Sequence, residues 1–194
     1  MTDRRIIGLT GGIATGKSTV SSYLSTHHGL PILDADIYAR EAVEPGSEVL
    51  FHIEQRYGKT ILFADGTLNR AALGKIIFSD AGERLWIEKQ IHPFVRKRFS
   101  EVADSLLDAP TLVYVIPLLF EANLTHLVTE TWVVCCSHKQ QKERLIGRNQ
   151  LSEPEAESRI AAQMPLAEKR DRADFVLDNS SSKAALFTQV DAIL

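Results

Sequence analysis

Residues 11–18 read Gly11-Gly12-Ile13-Ala14-Thr15-Gly16-Lys17-Ser18, which satisfies the pattern G-x-x-x-x-G-K-[ST]. Before this turn, Ile6-Ile7-Gly8-Leu9 reads as a short buried strand, and after it the chain reads as a helix from about Lys17 to His27. Strand, glycine-rich turn and helix are the context in which this pattern holds a nucleotide phosphate. Backbone N–H groups that converge on a phosphate leave no room for Cβ atoms at Gly11 and Gly16. The helix that follows adds the positive end of its dipole. Gly12, Ile13, Ala14, Thr15, Gly16, Lys17, Ser18 and Thr19 are therefore the expected nucleotide contacts. Lys17 is expected to reach the β- and γ-phosphates, and the Ser18 hydroxyl to ligand the Mg2+ that accompanies ATP.

Outward from this loop, further apolar runs repeat the strand pattern. Pro31-Ile32-Leu33 ends in the acidic cluster Asp34-Ala35-Asp36. Leu112-Val113-Tyr114-Val115-Ile116, Trp132-Val133-Val134-Cys135-Cys136 and the weaker Phe175-Val176-Leu177 follow. Runs apolar on both faces, separated by helical patterns, predict one parallel sheet covered by helices, an α/β fold. The connection over residues 37–110 is too long for a simple crossover and reads as a helical insertion. Within it Ser47 caps a helix reaching Tyr57 with Gly58 as its stop, Asp65-Gly66 marks a turn, and Asn69 caps the next helix. A helix from Asp80, with Glu83 three residues on, should break or kink at His92-Pro93. Beyond the fourth strand, a helix is expected over residues 138–149. Ser152 with Glu155 then forms a capping box for a helix running towards Gln163 and ended by Pro165. Residues 139–172 are dense in charge of both signs, as a solvated face is.

Composition bounds the function. The chain has 194 residues, 44% hydrophobic, with a net charge of −3, enough for one domain carrying an insertion. A general nucleic-acid binder would show a basic excess instead. No run reaches the length of a membrane-spanning helix, and Met1-Thr2-Asp3-Arg4-Arg5 leads straight into the first strand without a signal-peptide pattern. The two cysteines, Cys135 and Cys136, are adjacent, which excludes a disulfide framework and suits two core residues in a reducing cytoplasm.

No N/T-K-x-D tetrapeptide of a switch GTPase occurs, and the run Leu112–Ile116 ends in Pro117 where a motor ATPase carries an aspartate. A small kinase remains, with a helical insertion for the acceptor and an arginine-rich lid over 138–172. Arg144 and Arg148 share a helix face; they either aim at the transferring phosphoryl group or lie on a solvated helix. Asp34 and Asp36, with same-face spacing at a strand end, either serve the reaction as base or metal partner or shape a turn and helix cap. His92 before Pro93 is either a ligand-binding residue or, the reading favoured by sequence, a helix-end histidine.

These blocks resemble the dephospho-coenzyme A kinase family over nearly the whole chain. The resemblance runs through Gly8-Leu9-Thr10-Gly11-Gly12-Ile13, Gly16-Lys17-Ser18-Thr19-Val20, Asp34-Ala35-Asp36 with Ala39-Arg40, and Glu44-Pro45-Gly46. It continues through Asp65-Gly66 with Leu68-Asn69-Arg70, Ile91-His92-Pro93, Pro117-Leu118-Leu119-Phe120-Glu121, Arg144 to Arg148, and Ala173-Asp174 with Asp178-Asn179. It implies a nucleoside-monophosphate-kinase-like core and ATP-dependent phosphorylation of the ribose 3′-hydroxyl of dephospho-CoA. Asp36 then looks like the base, and Arg40, Asn69, Arg70 and His92 like parts of the acceptor side. Arg144 and Arg148 look like lid residues, and Asn179 falls where the family contacts adenine. The sequence departs from the family at Ala14-Thr15, where glycine and serine are usual, at Asn149, where aspartate is common, and at Ser180, where glycine is common. A kinase for another metabolite and a silent nucleotide-binding module are the competing readings; retention of Lys17, Asp36, Arg144 and Arg148 speaks against the second.

Overall fold

Five apolar runs lie side by side in the computed structural model, which describes residues 4–194. They are β1 (Arg5–Gly11), β2 (Ile32–Asp34), β3 (Thr111–Val115), β4 (Glu130–Cys135) and β5 (Phe175–Asp178). The lead-in Met1-Thr2-Asp3, read above as free of a signal peptide, lies outside the described residues. All pairings are parallel, in the order β2-β3-β1-β4-β5. β1 is central, with Ile7 opposite Val113 on one side and Glu130 on the other. Ile7, Leu9, Trp132, Val133 and Val134 are wholly buried, as strands covered on both faces require.

The helices among the described residues are α1 (Lys17–Thr26), α2 (Ala35–Glu41), α3 (Glu48–Tyr57), α4 (Arg70–Ser79), α5 (Ala81–Ser105), α6 (His138–Asn149), α7 (Glu153–Ala161), α8 (Leu166–Asp171) and α9 (Lys183–Ile193). The chain forms two compact units: the part up to Asp34 together with Leu107–Leu194, and Ala35–Leu106. In the first, Val20 and Leu24 of α1 and Leu186 and Val190 of α9 join Ile7, Leu9, Val113, Val115, Trp132, Val134 and Leu177 in one apolar core. Each such aliphatic chain contributes roughly 1.5–3 kcal/mol by leaving water. At the helix ends, Ser152 with Glu155 forms the expected capping box, and Ser137 with Gln140 forms a second one that the sequence reading did not include.

The helical unit has its own core of Ala42, Val43, Val49, Leu50, Ile53, Ile61, Leu68, Leu73 and Ile87. Ser47 Oγ accepts the Leu50 N–H at 3.1 Å and caps α3, which stops at Gly58 with φ 78°. Asn69 Oδ1 accepts the Ala72 N–H at 3.0 Å and caps α4.

Three local expectations need correction. Pro93 does not break its helix: α5 runs through it from Ala81 to Ser105. Interior proline costs about 3 kcal/mol, and burial of Ile87 and Phe99, with Trp86, Ile91 and Phe94 packed on the helical core, offsets it. α7 ends at Ala161, and Pro165 does not end it but stands at the N-cap of α8, where its fixed φ suits a helix start. Asp36 is not on a strand: β2 stops at Asp34 and α2 begins at Ala35, so the alternation of a strand does not relate the two carboxylates.

Candidate active site

The loop between β1 and α1 is shaped by what presses on it. Gly16 takes φ 107° as the N-cap of α1, and a Cβ there would stand 2.1 Å from Asn179 Nδ2. At Gly11 a Cβ would stand 2.3 Å from Val134 O. Both glycines are thus required by neighbouring protein atoms. Ala14 holds φ 58°, a left-handed conformation that costs a residue with a Cβ roughly 1–2 kcal/mol. Lys17 Nζ folds back over the turn, donating to Gly12 O at 2.8 Å and Gly11 O at 3.1 Å. The N–H groups of Ala14, Gly16 and Ser18 donate to no protein acceptor among the described residues. An array of spare N–H groups at a helix N-terminus is an anion site by construction. Ser18 and Thr19 follow in the first turn of α1, with Ser18 exposed.

Asn179 is buried just beyond β5. Its Nδ2 donates to Thr15 O at 2.8 Å and its N–H to Cys135 O at 2.7 Å. Its side chain therefore braces the phosphate loop. Arg144, on α6, donates from Nη2 to Asn179 O at 3.0 Å, and its buried Nη1 has no hydrogen-bond partner among the described residues. Arg148, one turn on, is exposed and donates from Nε to Asn149 Oδ1 at 2.9 Å. An amide oxygen at position 149 thus accepts that bond.

Lys169, in α8, escaped the reading of the sequence. It has no exposed surface, and its Nζ lies 2.8 Å from Glu121 Oε1 and 3.1 Å from Pro117 O. Thr10 Oγ1 donates to the same carbonyl at 3.1 Å, and Met164 N–H donates to Glu121 Oε1 at 3.1 Å. The segment after β3 is thereby tied to the residue before the phosphate loop and to the start of α8. In sequence Lys169 is one more charge in a charged run; only the block containing Glu121 hinted at its partner. Gln141 and Gln163, which hold Ile13, carried no signal either. Burial pushes the Cys135 and Cys136 thiols up, so neither is an activated nucleophile.

In the helical unit Asp36, Arg40 and Arg70 line one cavity of about 340 Å³, floored by Val43, Leu68, Leu73, Ile77, Ile87 and Ile91. Asp36 is exposed in the first turn of α2 and Arg40 in its last. α2 is fixed on α5 by Arg98 Nε to Glu41 Oε2 at 3.0 Å and by the Tyr38 ring set edge-on to Phe99. Asn69 spends its carbonyl on the cap of α4, and neither it nor the exposed His92 lines the cavity. Elsewhere in this unit Arg56 and Tyr57 grip Glu83. The Arg56 hydrogen bond, then that of Tyr57, holds the Glu83 carboxyl down to about 2. Burial first, then the Glu83 bond, pushes the Tyr57 hydroxyl up to about 12.

Comparison with known proteins supplies the family and agrees on the fold. The sequence model of the dephospho-CoA kinase family matches residues 5–185. The chain is similar to the dephospho-CoA kinase of a Synechocystis strain, 58% identical over 96% of this chain and 93% of that relative. Among solved structures it is similar to a Thermus thermophilus protein, TM-score 0.86, 35% identical, over 98% of this chain and 96% of that one. A dephospho-CoA kinase from Campylobacter jejuni superposes with a TM-score of 0.70 at 26% identity, over 97% and 94% of the two chains.

Proposed function

The chain belongs to the dephospho-CoA kinase family, and from that premise we propose which of its residues carry the transfer. The reaction moves the γ-phosphate of ATP to the ribose 3′-hydroxyl of dephospho-CoA, giving CoA and ADP. One P–O bond forms to the ribose oxygen, the bond from Pγ to the ADP oxygen breaks, and the hydroxyl proton needs an acceptor. The observation that carries the reading is the loop itself: spare N–H groups of Ala14, Gly16 and Ser18 at the start of α1, with Lys17 Nζ poised over the turn.

On the nucleotide side, residues Gly12 to Thr19 hold the phosphates. Lys17 exchanges its carbonyl partners for phosphate oxygens, and its charge follows the negative charge that gathers on the leaving oxygen. Arg144 offers its unpartnered Nη1, while its Nη2 steadies Asn179. Arg148 adds a second guanidinium from the same helix face, within a lid formed by 138–172. Asn179 serves the nucleotide by bracing Thr15 and Gly16.

On the acceptor side, the helical unit over 37–110 binds dephospho-CoA. Arg40 and Arg70 suit its diphosphate, the apolar floor of their cavity suits the uncharged remainder, and Asn69 and His92 complete the set. Asp36 takes the hydroxyl proton or orients the hydroxyl, since kinase transition states are loose.

Ser18 fits Mg2+. Its hydroxyl is a hard oxygen donor, exposed and without a protein partner among the described residues, and those residues contain no group of three carboxylate, histidine or cysteine ligands. An ion held by one hydroxyl and the nucleotide's own oxygens is the usual arrangement for Mg2+ in kinases. When bound it neutralises charge on the β- and γ-phosphates. A cytoplasmic setting belongs to the same proposal, supported by two buried free thiols.

The test is ADP release by purified protein with ATP and Mg2+ and a panel of acceptors. Dephospho-CoA should accelerate release far above ATP alone, and AMP or pantothenate-derived acceptors should not. A higher kcat/KM for AMP would overturn the substrate assignment.

A further inference from the structure

Ile13 is held from outside the phosphate loop by two glutamines that the reaction does not otherwise use, Gln141 on the peptide to Ala14 and Gln163 on the peptide from Gly12. Gln141 Nε2, on α6, donates to Ile13 O at 2.8 Å. Gln163 Oε1, between α7 and α8, accepts the Ile13 N–H at 2.8 Å. Gln141 is 4% exposed, which is unusual for an amide on a helix otherwise rich in charge. Burying such a group is unfavourable unless both its ends are used, so its place at Ile13 has to be weighed against that cost.

The planarity of the peptide gives it a consequence. In a trans peptide C=O and N–H point in opposite directions. Drawing Ile13 O towards Gln141 therefore turns the Ala14 N–H to the other side, and that N–H has no protein acceptor among the described residues. Ala14 meanwhile sits at φ 58°, which its Cβ disfavours, so the loop sequence by itself does not secure this orientation. Something outside the loop must, and Gln141 is the donor that reaches it.

We propose that Gln141 is a positioning residue for the nucleotide: acting through the Ile13 carbonyl, it aims the Ala14 N–H at the phosphates, and Gln163 fixes the same residue by its N–H. This rests on the reading of Gly12 to Thr19 as the ATP site. Both glutamines come from the 138–172 region, so the same stretch that supplies Arg144 and Arg148 also sets the shape of the loop they act over.

The experiment is steady-state kinetics on Gln141→Met, which keeps length and loses the donor, and Gln141→Glu, which keeps shape and can only accept. KM for ATP should rise about tenfold in the first and at least as much in the second, with KM for dephospho-CoA unchanged. In an Ala14→Gly background the penalty of Gln141→Met should shrink several-fold, because glycine adopts positive φ freely. A generally structural role would raise both KM values and would not depend on residue 14. Gln163→Met, at a half-buried position, should show the same ATP-selective loss and serves where a Gln141 variant does not fold. An ATP KM within twofold of the parent in Gln141→Met, or a penalty indifferent to Ala14→Gly, overturns the inference. Lys17→Ala separates the two levels: if it also leaves ATP binding intact, the loop assignment itself fails, and if it alone abolishes binding, only the role of Gln141 does.

Discussion

Around residues 11–18 the groups offered to a ligand are backbone N–H donors, while in the Ala35–Leu106 unit they are the exposed side chains Asp36, Arg40 and Arg70 around an apolar cavity. The first arrangement is fixed by the fold. Gly16 cannot acquire a Cβ without striking Asn179, and Asn179 is itself held by Cys135 and Arg144. The second depends on where α2 and α4 place three exposed side chains. Backbone donors recognise any phosphate chain, so the loop gives affinity for a nucleotide without choosing the acceptor. Choice of acceptor falls to side chains, which can be exchanged without disturbing the sheet. A substitution on the acceptor side should therefore change chemistry with little effect on folding, and one beneath the loop should change both.

The largest expected effect tests the first half of that contrast. Asp36→Asn keeps the shape and removes the charge; kcat should fall by about 10²-fold or more while both substrates still bind and thermal stability stays put. Turnover within a few-fold of the parent, beside a severe loss in Asp34→Asn, would move the base to Asp34. Lys17→Ala follows, with an expected loss of about 10²-fold in turnover and weaker ATP binding; near-normal turnover would remove the loop from the chemistry. Arg148→Ala should lower kcat roughly tenfold with little change in KM for dephospho-CoA, the pattern of a contact made mainly in the transition state. A change confined to KM would make Arg148 a ground-state contact.

The smallest effect concerns the helical unit's stability. Glu83 is held down to about 2 against an ordinary value of 4.5, so its contribution is complete above about pH 4.5 and fades as pH falls towards 2. Acid titration of the unfolding midpoint should show this fall in the parent and a flatter limb in Glu83→Gln. Equal slopes would mean the Arg56–Glu83 pair adds nothing to folding, as exposed pairs often do.

The sheet was legible because its inner strands β1, β3 and β4 are buried on both faces and so read as unbroken apolar runs, and the loop because its glycines and lysine are fixed in order. Helix caps at Ser47, Asn69 and Ser152 follow local rules and were readable, while the equally local cap at Ser137 was passed over. What stayed hidden depends on tertiary context. Pro93 inside α5 is a local penalty overridden by packing. Asp36 read as strand because two carboxylates two residues apart suit a strand as well as a helix start. Lys169, Gln141 and Gln163 sit in a stretch dense in charge, where a residue that turns inward looks like its solvated neighbours. The acceptor residues were found through resemblance to a family, and of these the cavity gathers Arg40, Arg70 and Asp36 but not Asn69 or His92.

The strand order has a bearing on solubility. An open sheet leaves two edges whose unpaired N–H and C=O groups invite another chain to pair, and long flat edges are where aggregation starts. Here the edges are β2, three residues ending in Asp34, and β5, four residues ending in Asp178. The longer strands β1, β3 and β4 lie inside. Each edge is thus too short to template a stable ribbon and closes on a carboxylate, so the most apolar part of the molecule offers other chains very little backbone to join.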